Sequence, residues 1–207
     1  SLNPNAYLRK PITIEDYKKS RLISDPIRLF DCVMPANGGK AYIIAWAGRA
    51  KSMRKPPVYL LGWGECNNAS HGPRYRANPL ITGITQAGKR AFDMSGVAHK
   101  DIRCLNLYDD YIPIVMIQIE DLGFCGRNDK AFFEKTDFTF KGDLPIQTGG
   151  GMINCRQPST TGGMLHVLET VRQIRGEGGD RQVPNIKYGI STGVGAVNYG
   201  KNFGCTA

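Results

Sequence analysis

The chain has 207 residues, of which 41% are hydrophobic and 22% charged, and a formal net charge of +9. That length suits one large domain or part of a bigger protein, and the balance excludes an intrinsically disordered chain. Lys and Arg are scattered and no nucleic-acid motif appears, so the charge reads as a basic surface for an anionic cofactor or an acidic partner.

From the N-terminus, Asn3-Pro4-Asn5 and Pro11 mark irregular chain. Thr13 then caps a predicted helix from Ile14 towards Ile23, with Asp16 at the third position and Pro26 as its stop. Ile27 to Phe30 is a short apolar run leading to Asp31 and Cys32, and Pro35 to Gly39 is a turn. Lys40 to Trp46 is dense in β-formers and predicts a buried strand. Gly48 to Pro57, basic and with two prolines, is a connection, and Val58 to Trp63 predicts the next strand. Cys66 to Pro79 is a polar loop, followed by a helix over Ile81–Ser95 with Ile81, Ile84, Ala87, Ala91 and Met94 as apolar positions.

Asp101 to Leu107 predicts a third strand, ending at Tyr108-Asp109-Asp110-Tyr111. A helix starts at once, with Pro113 in its first turn and Gly123 at its end. Gly126 to Gly142 reads as a loop or a small hairpin built on Ala131–Phe133 and Phe138–Phe140. Next comes the glycine run Gly149–Gly151, then Ser159, Thr160 and Thr161, any of which could cap a helix. That helix runs from about Gly162 to Arg175, with Met164, Val167, Leu168, Val171 and Ile174 on its apolar face. Its N-terminus would offer N–H groups to an anion held by the glycine loop. Asn185 to Ile190 is the last clear strand, opening into a loop at Ser191–Gly195, and another strand could begin at Phe203.

Alternating strands and helices predict an α/β layered sheet, in which ligands gather beyond the strand ends. Three candidate loops follow strands: Tyr108–Tyr111, Gly149–Thr161 and Ser191–Gly195. The six cysteines (Cys32, Cys66, Cys104, Cys125, Cys155, Cys205) contain no C-x-x-C pair, which argues against a zinc site. A chain with this much core needs no disulfide framework either. No apolar run is long enough for a membrane span and no signal peptide opens the sequence, so a reducing, cytoplasmic setting is expected. Ser1 in place of Met suggests a processed, trimmed or split chain.

The loops, in their order and spacing, resemble the C-terminal half of the thiolase superfamily. The residues that carry the likeness begin with Asn3-Pro-Asn-Ala6, Ser20-Arg-Leu-Ile-Ser-Asp-Pro26, Asp31-Cys32 with Asn37-Gly38, and Tyr108-Asp-Asp-Tyr111. Further on come Glu120–Cys125, Gly149–Gly163, Val171–Gly178, Arg181–Pro184 and Gly193-Val-Gly195. The sterol-carrier-protein-type thiolases and lipid-transfer-like acetyl-CoA acetyltransferases are the branch most resembled.

The resemblance implies a layered α-β-α-β-α fold of two similar halves. Residues 1–57 would hold the lid segment and the last strand of the first half, and residues 58–207 the C-terminal domain. It also implies a homodimer core and CoA thioesters as substrates, with no tightly bound cofactor and no metal. A companion chain, either the missing N-terminal half or a small zinc-ribbon/OB-fold subunit, is implied as a partner. The family's nucleophilic cysteine lies in the first half, and none of the six cysteines stands at its position.

The resemblance also assigns roles. Gln157 stands where thiolases place a His; its amide can donate to an oxyanion but cannot act as a base near neutral pH. Ser191 stands where many thiolases keep a second Cys. Tyr108 and Asp109 occupy the Asn-Glu or His-Asp positions, and a Tyr-Asp start resembles retro-aldolases that shorten sterol side chains. Asp109 and Asp110 could pair, but as neighbours they diverge, and helix capping by one of them is expected. Gly150, Gly151, Gly193 and Gly195 would line the substrate, and His71 lies in the loop that approaches the CoA pantetheine. His99 and His166 sit at surface-type positions without a role, and Cys125 and Cys155 lie near the site as small hydrophobes.

Three readings follow. The leading one is Claisen or retro-Claisen acyl transfer on acyl-CoA, with the nucleophile supplied by the missing half. The second is a thiolase-fold aldolase that cleaves a β-hydroxyacyl-CoA, and the third is a non-catalytic scaffold subunit.

Overall fold

Thr13 opens helix α1 (Ile14–Lys19) with a capping box: its Oγ1 accepts from the Asp16 N–H while the Asp16 carboxylate accepts from the Thr13 N–H. This is the computed structural model of the chain, and it describes residues 2–67, 81–158, 161–198 and 202–207. The helix stops four residues before the expected Ile23, because Leu22–Ser24 (β1) folds back on Ile27–Arg28 (β2) as an antiparallel pair. After a short turn of helix, α2 (Ala47–Ala50), and the two-residue strand β3 (Glu65–Cys66), the long elements begin.

Helix α3 (Ile84–Ser95) buries Ile84, Ala87, Gly88 and Ala91. Its N-terminus is held by Asp121, whose carboxylate accepts from the Thr82 N–H and Oγ1 and from Thr85 Oγ1. Asp121 also pairs with Arg127. Strand β4 (Ile102–Asn106) follows, then helix α4 (Ile112–Asp121), with Pro113 in its first turn where no backbone donor is needed. Gly88 lets α4 approach α3, since a Cβ there would lie 2.6 Å from Leu122 Cδ2. Short helices α5 (Lys130–Lys135) and α6 (Gly151–Cys155) precede α7 (Met164–Ile174). Strands β5 (Tyr188–Ser191), β6 (Gly193–Asn198) and β7 (Asn202–Thr206) complete the chain.

Strand β4 lies parallel to β5, with Leu105 opposite Ile190 and Asn106 opposite Ser191. On its other side Leu105 bridges Ile146, through Leu105 N–H to Pro145 O at 2.8 Å and Gln147 N–H to Leu105 O at 2.9 Å. The three segments therefore end together, and the Tyr108–Tyr111 loop, the glycine run and the turn at Thr192 leave from one end of the sheet, where ligands of α/β folds collect. A second sheet, β3-β7-β6, is antiparallel. Ile84, Ile102, Leu105, Leu107, Val115, Ile119, Leu122, Leu144, Ile190 and Cys205 form the core. Among the described residues no helix is long and apolar enough to cross a membrane.

Several sequence expectations are corrected. Neither Lys40–Trp46 nor Val58–Trp63 forms a strand, and Ile44, Trp46 and Leu60 are 84%, 89% and 79% exposed. A strand needs neighbours for its N–H and C=O groups, and no described segment pairs with either run. Residues 130–135 are helical rather than part of a hairpin, because Asp129 accepts from the Phe132 N–H and starts a turn. Ser191–Gly195 is not a loop: Ser191 ends β5, Gly193–Gly195 begin β6 with Thr192 alone between them, and β6 finds a partner in β7.

Helix α7 is also turned the other way round. His166, Glu169, Thr170 and Gln173 are its buried residues, while Val167 is 40% exposed. The polar face goes inward because partners wait there. Arg181 makes a two-pronged bond with Glu169, with Nε and Nη2 each 3.0 Å from a carboxylate oxygen. Thr148 and Gln173 donate to the same carboxylate, at 3.1 and 2.9 Å. Glu169 is thereby paired and hydrogen-bonded, which is what a buried charge requires. Thr161 does not cap this helix; Gly163 is at the N-cap, and Thr161 Oγ1 donates to Pro158 O. Ser159 and Thr160 lie outside the described residues.

Candidate active site

Leu107 and Tyr108 leave β4 under tight backbone control. Gln147 brackets Leu107, accepting from its N–H at 3.0 Å and donating to its carbonyl at 2.6 Å. Thr192 Oγ1 accepts from the Tyr108 N–H at 2.9 Å and donates to Gln118 Oε1 at 2.5 Å. Gln118 Nε2 closes the ring by donating to Tyr108 O at 2.7 Å. The backbone of the loop is thus held from three elements, which leaves its side chains with fixed directions. Thr192, Gln118 and Gln147 are ordinary polar residues in sequence, and no local pattern marks their role.

The Tyr108 hydroxyl accepts a hydrogen bond from Gln157 Nε2 at 2.9 Å. Gln157 is itself fixed through its backbone, its N–H donating to Met34 O at 2.8 Å and its carbonyl accepting from the Ala36 N–H at 3.0 Å. The N-terminal segment therefore positions a side chain of the glycine-rich loop. The Asp110 carboxylate faces the same hydroxyl and the Gln157 amide. Its Oδ1 is buried and has no hydrogen-bond partner among the described residues. Burial, reinforced by the charge of Asp110, pushes the Tyr108 hydroxyl well above its ordinary value. Burial also lifts Asp110 above the usual carboxylate range, opposed by the nearby Tyr108 hydroxyl and Gln157 amide, which act to lower it.

Asp109 points the other way, into the protein, and is 2% exposed. Its carboxylate accepts from the Met152 N–H at 2.8 Å and the Ile153 N–H at 3.2 Å, at the N-terminus of α6. The anion at the end of the glycine run is therefore the chain's own carboxylate, and the helix that Asp109 serves is not the one that follows it. Gly151 has φ +58° and no room for a side chain, since a Cβ would lie 2.1 Å from Asp109 Oδ2. Gly150, with φ +92°, sits at the α6 N-cap beside it.

His166 is 1% exposed, which corrects the surface position expected for it. Its Nε2 lies 3.3 Å from Asp109 Oδ1, at an angle that leaves Nε2 without a hydrogen-bond partner among the described residues. Its ring meets the Tyr108 ring edge-on, with centroids 6.4 Å apart. A signal is present in the sequence: His166, Glu169, Thr170 and Gln173 themselves recur with helical period, so the helix carries two periodic faces and periodicity does not choose between them.

The remaining described candidates bond to other partners. Ser191 Oγ bonds Thr170 Oγ1 at 2.8 Å, and Asn106 Nδ2 donates to the same threonine at 2.8 Å. This network lies between β4, β5 and α7 and does not include Tyr108 or Gln157. Gly193 and Gly195 are strand residues opposite Thr206 and Gly204. His71 lies outside the described residues. Burial pushes the Cys104 thiol up to about 12 and Cys125 up to about 11, and raises Cys155 and Cys32 as well. These four thiols are thus held in the un-ionised form that is a poor nucleophile.

The chemistry-bearing cluster is therefore a phenol, a carboxamide and a carboxylate at a strand end, standing on a buried carboxylate–imidazole pair. It can move a proton and donate to an oxyanion. A matching family model, described as thiolase C-terminal domain-like, covers residues 67–201. The chain is 34% identical over 180 residues to a 17-hydroxy-3-oxo-4-pregnene-20-carboxyl-CoA lyase of Mycobacterium tuberculosis, covering 84% of this chain and 46% of that protein. It is 29% identical over 199 residues to an acetyl-CoA acetyltransferase of Methanothermobacter thermautotrophicus, covering 95% and 52%. Among solved structures it matches the Ltp2-ChsH2(DUF35) aldolase with a TM-score of 0.85 and 27% identity, over 99% of this chain and 53% of that one. The chain thus spans about half the length of these relatives. With its thiolase-like α/β fold, it belongs to the thiolase C-terminal domain-like family.

Proposed function

We propose that this chain is the C-terminal part of a thiolase-fold aldolase that breaks a C–C bond in a β-hydroxyacyl-CoA thioester. The observation that carries the reading is the Tyr108–Gln157 contact of 2.9 Å beside Asp110. A retro-aldol step needs a group to take the proton of the β-hydroxyl and a donor for the thioester enolate, and needs no acyl-enzyme. Tyr108 suits the first task and the Gln157 amide the second. The proton leaves the hydroxyl, the C–C bond pair passes into the thioester enolate, and the enolate carbon takes a proton to give a shorter acyl-CoA and a carbonyl compound. The lyase and aldolase among the relatives support the same chemistry.

Claisen-type acyl transfer is the second reading, favoured by the acetyltransferase relative. It requires a thiolate, which the resemblance assigns to the first half of the fold, since the four thiols of this chain raised by burial would not supply it. Under either reading residues 1–57 act as lid segment and last strand of a first half, and residues 58–207 as the C-terminal domain. The partners we propose are that first half, a second copy in a homodimer, and a small zinc-ribbon/OB-fold companion, in line with the two-component Ltp2-ChsH2(DUF35) aldolase that the chain resembles. The exposed Ile43, Ile44, Trp46 and Leu60 would be covered in such an assembly. The net charge of +9 suits the phosphates of coenzyme A, and six free cysteines suit a reducing, cytoplasmic setting.

The test offers two CoA thioesters to the native protein that carries this chain, together with any chain that co-purifies. Release of a ketone or aldehyde and a shortened acyl-CoA from the β-hydroxyacyl substrate is expected. Turnover of a β-ketoacyl substrate with free CoA, and none of the β-hydroxyacyl one, would replace this reading with acyl transfer.

A further inference from the structure

We infer that Asp110 is the proton acceptor behind Tyr108, so that substrate deprotonation runs through a two-residue relay instead of through a tyrosinate. The inference rests on the retro-aldol reading and deepens it. A phenol oxygen has one proton and two lone pairs. Gln157 Nε2, at 2.9 Å, occupies one lone pair and so turns the phenolic proton away from itself. Asp110 is the charged acceptor that faces the hydroxyl, and its Oδ1 is buried with no hydrogen-bond partner among the described residues. The second lone pair is left for the substrate hydroxyl.

Physical chemistry argues against Tyr108 acting alone. Its ionisation is pushed up by burial and by the neighbouring carboxylate, so a free tyrosinate is scarce near neutral pH. Passing its proton to Asp110 while accepting the substrate's removes that need. The substrate proton moves to Tyr108 Oη, and the former Tyr108 proton moves to the Asp110 carboxylate. The C–C bond pair becomes the enolate, whose carbon takes up one proton while Asp110 releases one to water, which closes the cycle. Burial lifts Asp110 above the usual carboxylate range, which brings the two ends of the relay closer in proton affinity. Tyr108, Asp109 and His166 are the titratable groups that face Asp110, and Gln157 is its neutral neighbour. Asp109 raises its proton affinity and His166 lowers it.

The experiment has two arms on the native protein with its co-purifying chains. In the first, ultraviolet titration of Tyr108, identified by difference from Tyr108→Phe, is compared with the same titration in Asp110→Asn. Loss of the neighbouring carboxylate is expected to lower the Tyr108 titration point; an unmoved one overturns the relay. In the second, retro-aldol kcat is measured against pH. Asp110→Asn is expected to lose about 100-fold in kcat with little change in KM, and its residual rate to lose the acid limb. Asp110→Glu is expected to recover at least about tenfold of that loss. A residual rate within about threefold of wild type, or one that keeps the acid limb, overturns the relay. A coupled titration in a protein whose wild type lacks retro-aldol turnover would leave the pair standing and reject the reaction instead.

Discussion

The His166 imidazole stands 3.3 Å from the Asp109 carboxylate, with both side chains buried, and the pair braces the start of α6 from beneath. Asp109 spends its two acceptor oxygens on the Met152 and Ile153 N–H groups. Asp109→Ala is therefore expected to leave two donors at a buried helix start without partners, at a cost of about 1–3 kcal/mol. Urea unfolding measures it, and an unchanged midpoint would remove Asp109 from its bracing role.

Gly151→Ala is expected to destabilise by about 1–3 kcal/mol, because φ is +58° and the added Cβ would meet Asp109 Oδ2 at 2.1 Å. Since the clash needs the carboxylate, part of this loss should vanish in an Asp109→Ala background. A double-mutant cycle reads that coupling. Strict additivity would assign the whole effect to the backbone.

Glu169 and Arg181 form a buried pair with two 3.0 Å contacts. Arg181→Met alone leaves a buried carboxylate facing Thr148 and Gln173 with only the more distant, half-exposed Arg172 at 3.9 Å as counter-charge, and is expected to cost about 3 kcal/mol. Removing both charges together should cost much less than the sum of the single changes. Denaturant midpoints of the three variants decide it.

Asp110 gives a pH dependence of stability whose sign follows from its raised folded value. Below the unfolded carboxylate value of about 3.9 both states hold the proton, and the contribution is fully present. As pH rises through the folded value the unfolded chain sheds its proton first, and stability is lost. Asp110→Asn is therefore expected to be more stable than wild type near pH 7, with the gap closing in acid. A gap that widened in acid would mean that the carboxylate is stabilised, not strained, by its surroundings.

Gln157→Ala removes the donor to Tyr108 but keeps the backbone bonds to Met34 and Ala36. It is expected to lower retro-aldol kcat about tenfold or more without moving the unfolding midpoint. Unchanged kcat would take the amide out of the site.

Where local chemistry sufficed, the sequence was readable. Thr13 and Asp16 spell a capping box within four residues, and Pro113 can only stand in a first turn. The apolar spacing of Ile84, Ala87 and Ala91 faces the core as expected. The loops that placed Tyr108 beside the glycine run did so because both follow strands, and parallel strands deliver their ends to one edge. Periodicity alone could not say which face of α7 turns inward. Its polar face won because Arg181, Asn106 and Thr148 come from distant segments to receive it.

By itself the sequence determined the family, from the order of its motifs, and helices α1, α3, α4 and α7 and the strand-end position of Tyr108, which depend on residues within a turn or two of one another. Only the tertiary structure decided that Asp109 serves a helix more than forty residues away, that His166 is buried beside it, and that Gln157 reaches Tyr108. It also decided that Lys40–Trp46 pairs with no other described segment, for all its β-formers. A strand, a buried charge and a proton relay each need a partner, and a partner brought from elsewhere in the chain leaves no mark on the residues that receive it.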